Sequence, residues 1–442
     1  MQDNEDQILQ AWYTKRRRTT VIGILQKCIF AFEYSSVAVS ALYYYQNTFQ
    51  VQNARLFYSI TMAIMYFSAA FSATFVGRYM DKTRNLRRIT MMSALLSISG
   101  NIIYILPFSR YFPILARGLC GMADGIQPAM SGEFSRVYTK DELGKVLSIY
   151  HISASLVYAI APSTPALFTD VQFHIGPIEI NQYNCVGLVL SIVLLLYAIL
   201  AFINVTDLTK ESGYQIFIKR FKQENSTTKG DGHSGERLWS LMDTVTNINL
   251  LSIILPDGFL GFVYSLMEVI INMVGLYNFS WSITRVSTLT CIGAIIFSTV
   301  MFLFQQRTLK GRYIFYFLFI SCFSLAAMEL SLLNISIQIP INSQALKMAL
   351  FESCLGLNII FGFGSTVYSK WLLFSLVPVN SKSYVESHRY IVAKVCCCTG
   401  FFTASFIYQQ SFEWFTVLIL CCFIIAFILL LRKNRFLRKI KD

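Results

Sequence analysis

The sequence predicts an all-α polytopic membrane protein, and three observations carry this prediction. Hydrophobic residues make up 55% of the 442 residues and charged residues only 14%, whereas a soluble domain has about a quarter charged residues. The hydrophobic residues form long runs, and a helix needs about 20 such residues to cross a bilayer. Lys and Arg collect in alternate connections between the runs. A membrane β-barrel is disfavoured, because its strands alternate over about 10 residues.

The apolar runs predict twelve transmembrane helices in two halves of six. We place the spans at 19–45, 55–76, 89–108, 111–135, 143–168, 184–205, 247–274, 284–304, 313–333, 346–368, 388–408 and 413–431. The longest connection divides the chain into an N-terminal six-helix half at 1–206, a cytosolic linker at 207–246 and a C-terminal six-helix half at 247–442.

The distribution of positive charge predicts the orientation. Basic residues occur before the first span, after every second span and in the C-terminal tail, but connections 169–183, 275–283, 335–345 and 409–412 contain no Lys or Arg. Because cytosolic connections retain basic residues, both termini are predicted to face the cytosol. The net charge of +13 is therefore interpreted as anchoring charge, and no nucleic-acid partner is expected.

Other features of the connections are less specific. Sequons at Asn278 and Asn334 fall on the predicted non-cytosolic side and are candidate glycosylation sites. The linker segment YQIFIKRFK is either an amphipathic helix on the membrane surface or a plain part of the linker. The eleven cysteines match no metal site or disulfide framework, and no cofactor is predicted.

The connection between the second and third spans reads GRYMDKTRNLRR. Gly77 lets two helix backbones approach closely at the cytosolic surface. Asp81 can accept hydrogen bonds from the N-terminus of a neighbouring helix, or pair with an arginine. The basic residues Lys82, Arg87 and Arg88 hold the connection on the cytosolic side.

This stretch resembles the loop signature of the major facilitator superfamily, although the second glycine of that signature is missing here. Two further segments resemble the same superfamily: ARGLCGMADG, with Arg117 and Gly121, and AIAPSTPALF, where Pro162 stands at a helix kink. The resemblance implies two six-helix halves around a central cavity. It also implies that Asp81 and its neighbours brace the conformation that is closed to the cytosol.

A closer resemblance is to the family of major facilitator superfamily domain-containing protein 8. It rests on the segment HIGPIEINQYNCVGLVLSIVLLLYAILAFINVTDL, on Glu33 in AFEYSS and on ALFTD after the fifth span. This family is endolysosomal, and a chloride-conducting activity has been attributed to it. The resemblance therefore implies an endolysosomal location, with the plasma membrane as the alternative.

Ionisable residues inside the N-terminal spans are candidates for a substrate or ion pathway, because an unpaired charge in a bilayer costs several kcal/mol. Glu33 can face a cavity, or lock helix packing as a hydrogen-bonded carboxyl. Lys27 can be functional, or extend its ammonium towards the cytosol. Arg117 suits an anionic substrate or a carboxylate partner, and the alternative is a fixed salt bridge. Asp124 lies seven residues further along the same helix.

The C-terminal spans add further candidates. Glu268 is a candidate proton site, whereas Asp257 is assigned to a polar cluster at a helix end. Lys394 can offer a positive site to an anion, or extend its side chain to the cytosolic surface. His151 in the fifth span is interpreted as a packed neutral histidine rather than a pH sensor.

These observations favour a transporter that moves a small solute or anion by alternating access, with protons as a possible coupling ion. The alternatives are an anion channel on the same fold, and a non-transporting receptor or partner protein. An enzyme is not expected, because the sequence contains no P-loop, metal-ligand cluster or catalytic triad spacing.

Overall fold

A computed structural model describes most of the N-terminal half of the chain and parts of the remainder. It describes residues 2–225 apart from 162, 163, 169 and 170, residues 239–266 apart from 252, 256, 260, 263 and 264, positions 292, 295 and 299, and residues 370–410 apart from 371, 372 and 375. All structural statements below concern these residues.

The described chain is almost entirely helical. Its α-helices are α1 (Gln2–Tyr43), α2 (Ala54–Thr83), α3 (Leu86–Ile105), α4 (Phe112–Asp124), α5 (Gln127–Val137), α6 (Lys140–Ile160), α7 (Thr164–Leu167), α8 (Cys185–Asn204), α9 (Ser212–Asn225), α10 (Leu241–Thr246) and α11 (Lys382–Gln410). A π-helical turn at Tyr44–Thr48 ends the first helix. A short antiparallel hairpin, β1 (Phe173–Ile175) and β2 (Ile178–Ile180), precedes α8, with Phe173 opposite Ile180.

Four described helical stretches are long and apolar enough to cross a bilayer. They are Asp3–Thr48, Ala54–Thr83, Leu86–Ile105 and Cys185–Lys210, and they contain the predicted spans 1, 2, 3 and 6 in whole or in large part. The shorter apolar helix Ile248–Phe259 lies where the seventh span begins. Predicted spans 9, 10 and 12 lie wholly outside the described residues, and only positions 292, 295 and 299 of span 8 are described.

Three helix boundaries differ from the prediction, and each difference has a local cause. The predicted span 111–135 is two helices, because the chain turns at Gly125. Helix α6 begins at Lys140 because Thr139 forms a capping box with Glu142. Helix α11 begins six residues before the predicted 388, so that its first two turns carry charged residues that the prediction assigned to a connection.

Helix α2 lies between α4 on one side and α11 on the other. One hydrophobic core cluster contains Met80 and Leu86, from the second and third helices, together with Phe374 and Val385 from the far end of the described chain. The described parts of the two predicted halves therefore pack together at the helix ends that are predicted to face the cytosol.

Helix α1 begins well before the predicted first span, and this N-terminal part packs against the linker helix α9. The indole of Trp12 is buried, stacks on Phe217 with ring centroids 5.1 Å apart, and donates a hydrogen bond to the carbonyl of Leu208 at 3.1 Å. Lys15 pairs with Glu211 at 2.7 Å. The segment YQIFIKRFK thus forms a helix, as one of the two sequence interpretations proposed, but its aromatic face packs on α1.

The contact between α2 and α11 requires a glycine at its centre. A Cβ atom at Gly77 would lie 1.8 Å from the Oγ of Ser387 and 2.9 Å from the carbonyl oxygen of Ser383. Both distances are far shorter than van der Waals contact, so any side chain at Gly77 would push the two helices apart.

We expect Gly77→Ala to lower the thermal stability of the full-length protein, by about 1–3 kcal/mol of unfolding free energy, because the added methyl overpacks this contact. The measurement is thermal unfolding in detergent micelles. Gly118→Ala is the matched control, since a Cβ atom there meets nothing closer than the Cγ1 of Ile64 at 4.0 Å. Equal melting temperatures for the two variants would contradict the expectation.

Candidate functional site

The site begins with a break in a helix near the middle of the predicted fourth span. Helix α4 ends at Asp124, and α5 starts at Gln127 with Pro128 in its first turn. In a continuous helix, the N–H of residue 128 would donate to the carbonyl of Asp124, but proline has no N–H. The carbonyls at the end of α4 are instead satisfied from other helices: Ser72 donates to Met122 at 2.9 Å, and Ser93 donates to Ala123 at 2.8 Å.

Asp124 itself is bound by two side chains of α11. The ammonium of Lys394 lies 2.9 Å from Oδ2 of Asp124. The hydroxyl of Tyr390 donates to the same carboxylate oxygen at 2.5 Å, and it lies 3.2 Å from the backbone carbonyl oxygen of Asp124. Lys394 also lies over the ring of Tyr66 at 4.3 Å. Lys394 lies about 18 Å along α11 from Lys382, which begins the helix. Its ammonium therefore makes its contacts inside the protein, away from the first turn of α11.

A second lysine joins the same network. The side-chain amide of Gln127 donates to Asp124, and its oxygen accepts a hydrogen bond from Lys27 of α1. Asp124 and Gln127 are buried, whereas Lys27 and Lys394 are partly exposed. We call Lys27, Gln127, Asp124 and Lys394 the central network. It carries two cations and one anion, and it links α1, the α4–α5 break and α11.

Glu33 and Arg117 form a separate, completely buried ion pair between α1 and α4. The guanidinium Nη1 lies 3.3 Å from Oε1 of Glu33, and Nη2 donates to Asn101 at 3.0 Å. Ser97 and Asn101 each donate to the Glu33 carboxylate at 2.8 Å. The side chain of Arg117 also lies over the ring of Tyr104. This is the fixed interhelix pair that the sequence offered as the alternative to an exposed anion site, and the partner of Arg117 is Glu33, not Asp124.

Four residues join the ends of α2, α5 and α11 that are predicted to face the cytosol, and we call them the cytosolic clamp: Asp81, Glu133, Arg136 and Ser383. Arg136 pairs with Asp81, lies 3.3 Å from Glu133 and donates to Ser383 at 2.9 Å. The other carboxylate oxygen of Asp81 accepts the backbone N–H of Tyr384 at 2.8 Å. Asp81 thus contacts both an arginine and the N-terminus of α11, where a helix dipole favours negative charge.

The basic residues after Asp81 surround the clamp without entering it. Lys82, Arg87 and Arg88 are exposed. Arg84 has a left-handed φ of 55° and ends α2, a conformation that normally favours glycine. Its guanidinium donates to Asn380 at 3.3 Å, so the arginine that replaces the glycine of the loop signature adds a contact across the two predicted halves.

The start of α11 carries a second buried ionic cluster, of which the sequence predicted only Asp257. Arg389 pairs with Asp257 and with Glu386, the latter at 2.7 Å, and Lys370 lies 3.5 Å from Glu386. The signal was present in SYVESHRY, since Glu386 and Arg389 have the i,i+3 spacing of facing helix residues. It was overlooked because the helix was predicted to begin at 388. Gln127 and Tyr390 were also missed, since neither carries a charge at neutral pH.

Several predicted site residues cannot be placed. Pro162, Glu268, Asn278 and Asn334 lie outside the described residues. Within the described ranges, no three His, Cys, Asp or Glu side chains come together as a metal site. His151 is partly buried next to Tyr150, with ring centroids 5.4 Å apart.

A sequence model of the Major Facilitator Superfamily matches residues 24–431, which is nearly the whole chain. The chain belongs to the major facilitator superfamily. No curated protein sequence matches it. Members of this superfamily are membrane transporters, so the chain is an integral membrane protein with a transporter fold.

Solved structures of other transporters share this fold. The human organic anion transporter MFSD10 (TETRAN) is 12% identical, with 94% of this chain and 99% of that chain covered at a TM-score of 0.62. A bacterial homologue of the iron transporter ferroportin, in an outward-facing state, is 11% identical. The match covers 94% of this chain and 99% of that chain, with a TM-score of 0.63. The proton:xylose symporter XylE, bound to 6-bromo-6-deoxy-D-glucose, is 12% identical. The match covers 96% of each chain, with a TM-score of 0.68. At these identities the likeness is one of fold.

We expect Arg117→Gln to lower the free energy of unfolding by about 3–5 kcal/mol, because it leaves the Glu33 carboxylate buried without its cation. The double variant Glu33→Gln/Arg117→Gln should lose less, since neither charge then remains. Thermal unfolding of the two single variants and the double variant gives the coupling energy directly. A double variant whose loss equals the sum of the single losses would show that the pair is not energetically coupled.

Proposed function

We propose that this protein is a secondary transporter of a small anionic solute, which binds at the central network and crosses the membrane by alternating access. In this proposal the chain forms two six-helix halves, 1–206 and 247–442, joined by the linker 207–246, with both termini in the cytosol. The observation that carries the proposal is that lysines from the two proposed halves meet at one helix break: Lys394 pairs with Asp124 directly, and Lys27 is linked to Asp124 through Gln127.

The charge balance of the central network supports an anion. Asp124 can neutralise only one of the two lysines: it pairs with Lys394 directly, whereas Lys27 donates its hydrogen bond to the neutral amide of Gln127. A surplus positive charge inside a membrane costs several kcal/mol. An anionic solute that binds near Lys27 would remove this cost. Because Lys27 and Lys394 are partly exposed, a solute can reach both ends of the network.

The cytosolic clamp supports alternating access. Every contact between Asp81 or Arg136 and α11 joins the two proposed halves, and these contacts close the cytosolic side of the protein. Opening towards the cytosol must break them, and the central network then changes at the same time because Lys394 and Tyr390 lie on the same helix as Ser383. Protons are the coupling ion that the sequence analysis considered, and buried carboxylates are the groups that carry them in transporters.

A second candidate is an anion channel on the same fold. The resemblance to the family of major facilitator superfamily domain-containing protein 8 favours it, and the same resemblance supports an endolysosomal membrane as the location. The central network argues for the carrier, because Lys394 and Asp124 close the path between the halves with a direct ion pair. A non-transporting receptor remains the third candidate, and the uptake measurement below separates it from the other two.

We expect purified protein in liposomes to take up at least one small anion from a panel of radiolabelled chloride, acetate, lactate and benzoate, with saturable kinetics. Lys27→Gln should weaken the apparent affinity about 10–100-fold, since a charged hydrogen bond contributes about 1.5–3 kcal/mol. Lys15→Gln is the matched control on the same helix, because Lys15 pairs with Glu211 on the cytosolic surface.

The outcomes of this measurement separate the candidates. Non-saturating uptake with large unitary currents would favour the channel. Uptake of labelled glucose but of none of the four anions would contradict the anionic solute. No uptake of any solute by correctly folded protein would favour the receptor.

A further inference from the structure

We propose that α10 lies in the cytosolic leaflet of the membrane, with its apolar face among lipid acyl chains, and that this contact with lipid holds the cytosolic clamp closed. The partner is the lipid surface itself, whichever solute crosses the membrane. Two sides of α10 carry the proposal: one side is an exposed apolar stripe, and the other side is bonded to α11.

The exposed side of α10 consists of large apolar side chains. The apolar stripe, as we call it, comprises Leu241, Met242 and Val245 of α10 together with Ile248 just after it, and these residues expose 50–66% of their surface. The spacing of the first three places them on one side of the helix. Single exposed apolar residues are common on protein surfaces, but a contiguous group marks a surface that contacts a partner or a membrane.

The apolar stripe continues into a surface that faces the bilayer. Ile248 begins the apolar helix Ile248–Phe259, which lies where the predicted seventh span starts. Leu255 is also exposed, and it follows Ile248 by about two turns on the same side of that helix. Trp239, just before α10, is of a residue type that collects at the boundary between a bilayer and water. The bilayer is therefore the partner that fits the stripe, as it is for amphipathic helices in the membrane interface.

The opposite side of α10 is bonded to the start of α11. Thr244 is buried, and its hydroxyl oxygen lies 3.1 Å from Nδ1 of His388. The backbone N–H of Trp239 donates to the hydroxyl oxygen of Ser381 at 3.0 Å. Ser381 directly precedes α11, and His388 lies in its second turn. The segment that contains α10 therefore contacts α11 both before and after its first turn.

The first turn of α11 is the part that closes the cytosolic clamp. Ser383 accepts a hydrogen bond from Arg136, and the backbone N–H of Tyr384 donates to Asp81 at 2.8 Å. The ring of His388 packs against the ring of Tyr384, with centroids 4.3 Å apart. The bonds from α10 therefore support the clamp. Because moving apolar side chains out of lipid is unfavourable, a helix that is anchored in the leaflet keeps this support in place.

The first test identifies what touches the apolar stripe. The photoreactive residue p-benzoylphenylalanine replaces Val245 in the full-length protein, which is placed in phosphatidylcholine nanodiscs, irradiated and analysed by mass spectrometry. We expect a covalent lipid adduct. Gln7 is the control position, because it is exposed on the part of α1 that precedes the predicted first span, and it should give no lipid adduct. An adduct at Val245 to a second copy of the chain, or equal lipid adducts at the two positions, would overturn the proposal.

The second test measures the effect of the stripe on the clamp. Val245→Asp places a short carboxylate among the acyl chains, where it cannot extend to water as a lysine can. Thr246→Asp is the matched control, since it adds the same charge at an exposed position of α10 outside the stripe. In nanodiscs, amide hydrogen exchange of residues 382–390 should be about tenfold faster in Val245→Asp than in Thr246→Asp, because α10 no longer supports the first turns of α11.

Exchange in residues 86–105 of α3, which lie in the other predicted half, should be the same in both variants. Equal exchange of residues 382–390 in the two variants would overturn the link between lipid and clamp. Faster exchange of both segments in Val245→Asp would also overturn it, in favour of general destabilisation. If Val245→Asp does not fold, Met242→Gln provides the comparison with a smaller acceleration, because it removes apolar character at nearly constant size.

Discussion

A charge inside a membrane is tolerated only beside an opposite charge or a set of hydrogen-bonding partners, and this constraint organises the described structure. The buried charged side chains lie in three paired groups and the central network. Glu33 and Arg117 pair inside the first predicted half, Asp81 and Arg136 pair in the cytosolic clamp, and Asp257 and Arg389 pair at the start of α11. Helix positions follow from these pairs, because each pair brings together residues that are distant in sequence.

The pairs differ in what they connect, and under the proposed alternating access this difference separates the pairs that stay closed from those that open. The Glu33–Arg117 pair connects α1 and α4, which both belong to the first predicted half, so it can stay closed throughout a transport cycle. The contacts of Asp124 with Lys394, and of Asp81 with the N-terminus of α11, connect the two predicted halves. Only contacts of the second kind can be broken and remade as the halves move.

Helix α11 joins the cytosolic clamp to the central network. Ser383 and Tyr384 in its first turn contact Arg136 and Asp81, and Lys394 contacts Asp124 about three turns further along. A helix is stiff over this distance, so a displacement at one end is carried to the other. The break between α4 and α5 has the opposite effect, because it lets the segment with Asp124 and the segment with Arg136 move separately.

The sequence by itself determined the membrane class and several local features. Composition and the length of the apolar runs predicted helices that span a bilayer, and four described helical stretches confirm this for the parts of the chain that they cover. The signature around Asp81 predicted the superfamily, which the family match confirms. These features are readable because they depend on residue type and on spacing along one helix or one connection.

The tertiary structure alone decided which charges pair. Asp124 and Arg117 lie on one helix, yet Asp124 contacts Lys394, which is 270 residues away in sequence, and Arg117 contacts Glu33. Gln127 and Tyr390 complete the central network although nothing in their residue type marked them. Pairing across helices depends on how the helices are packed and rotated, and a single sequence contains no direct record of that packing.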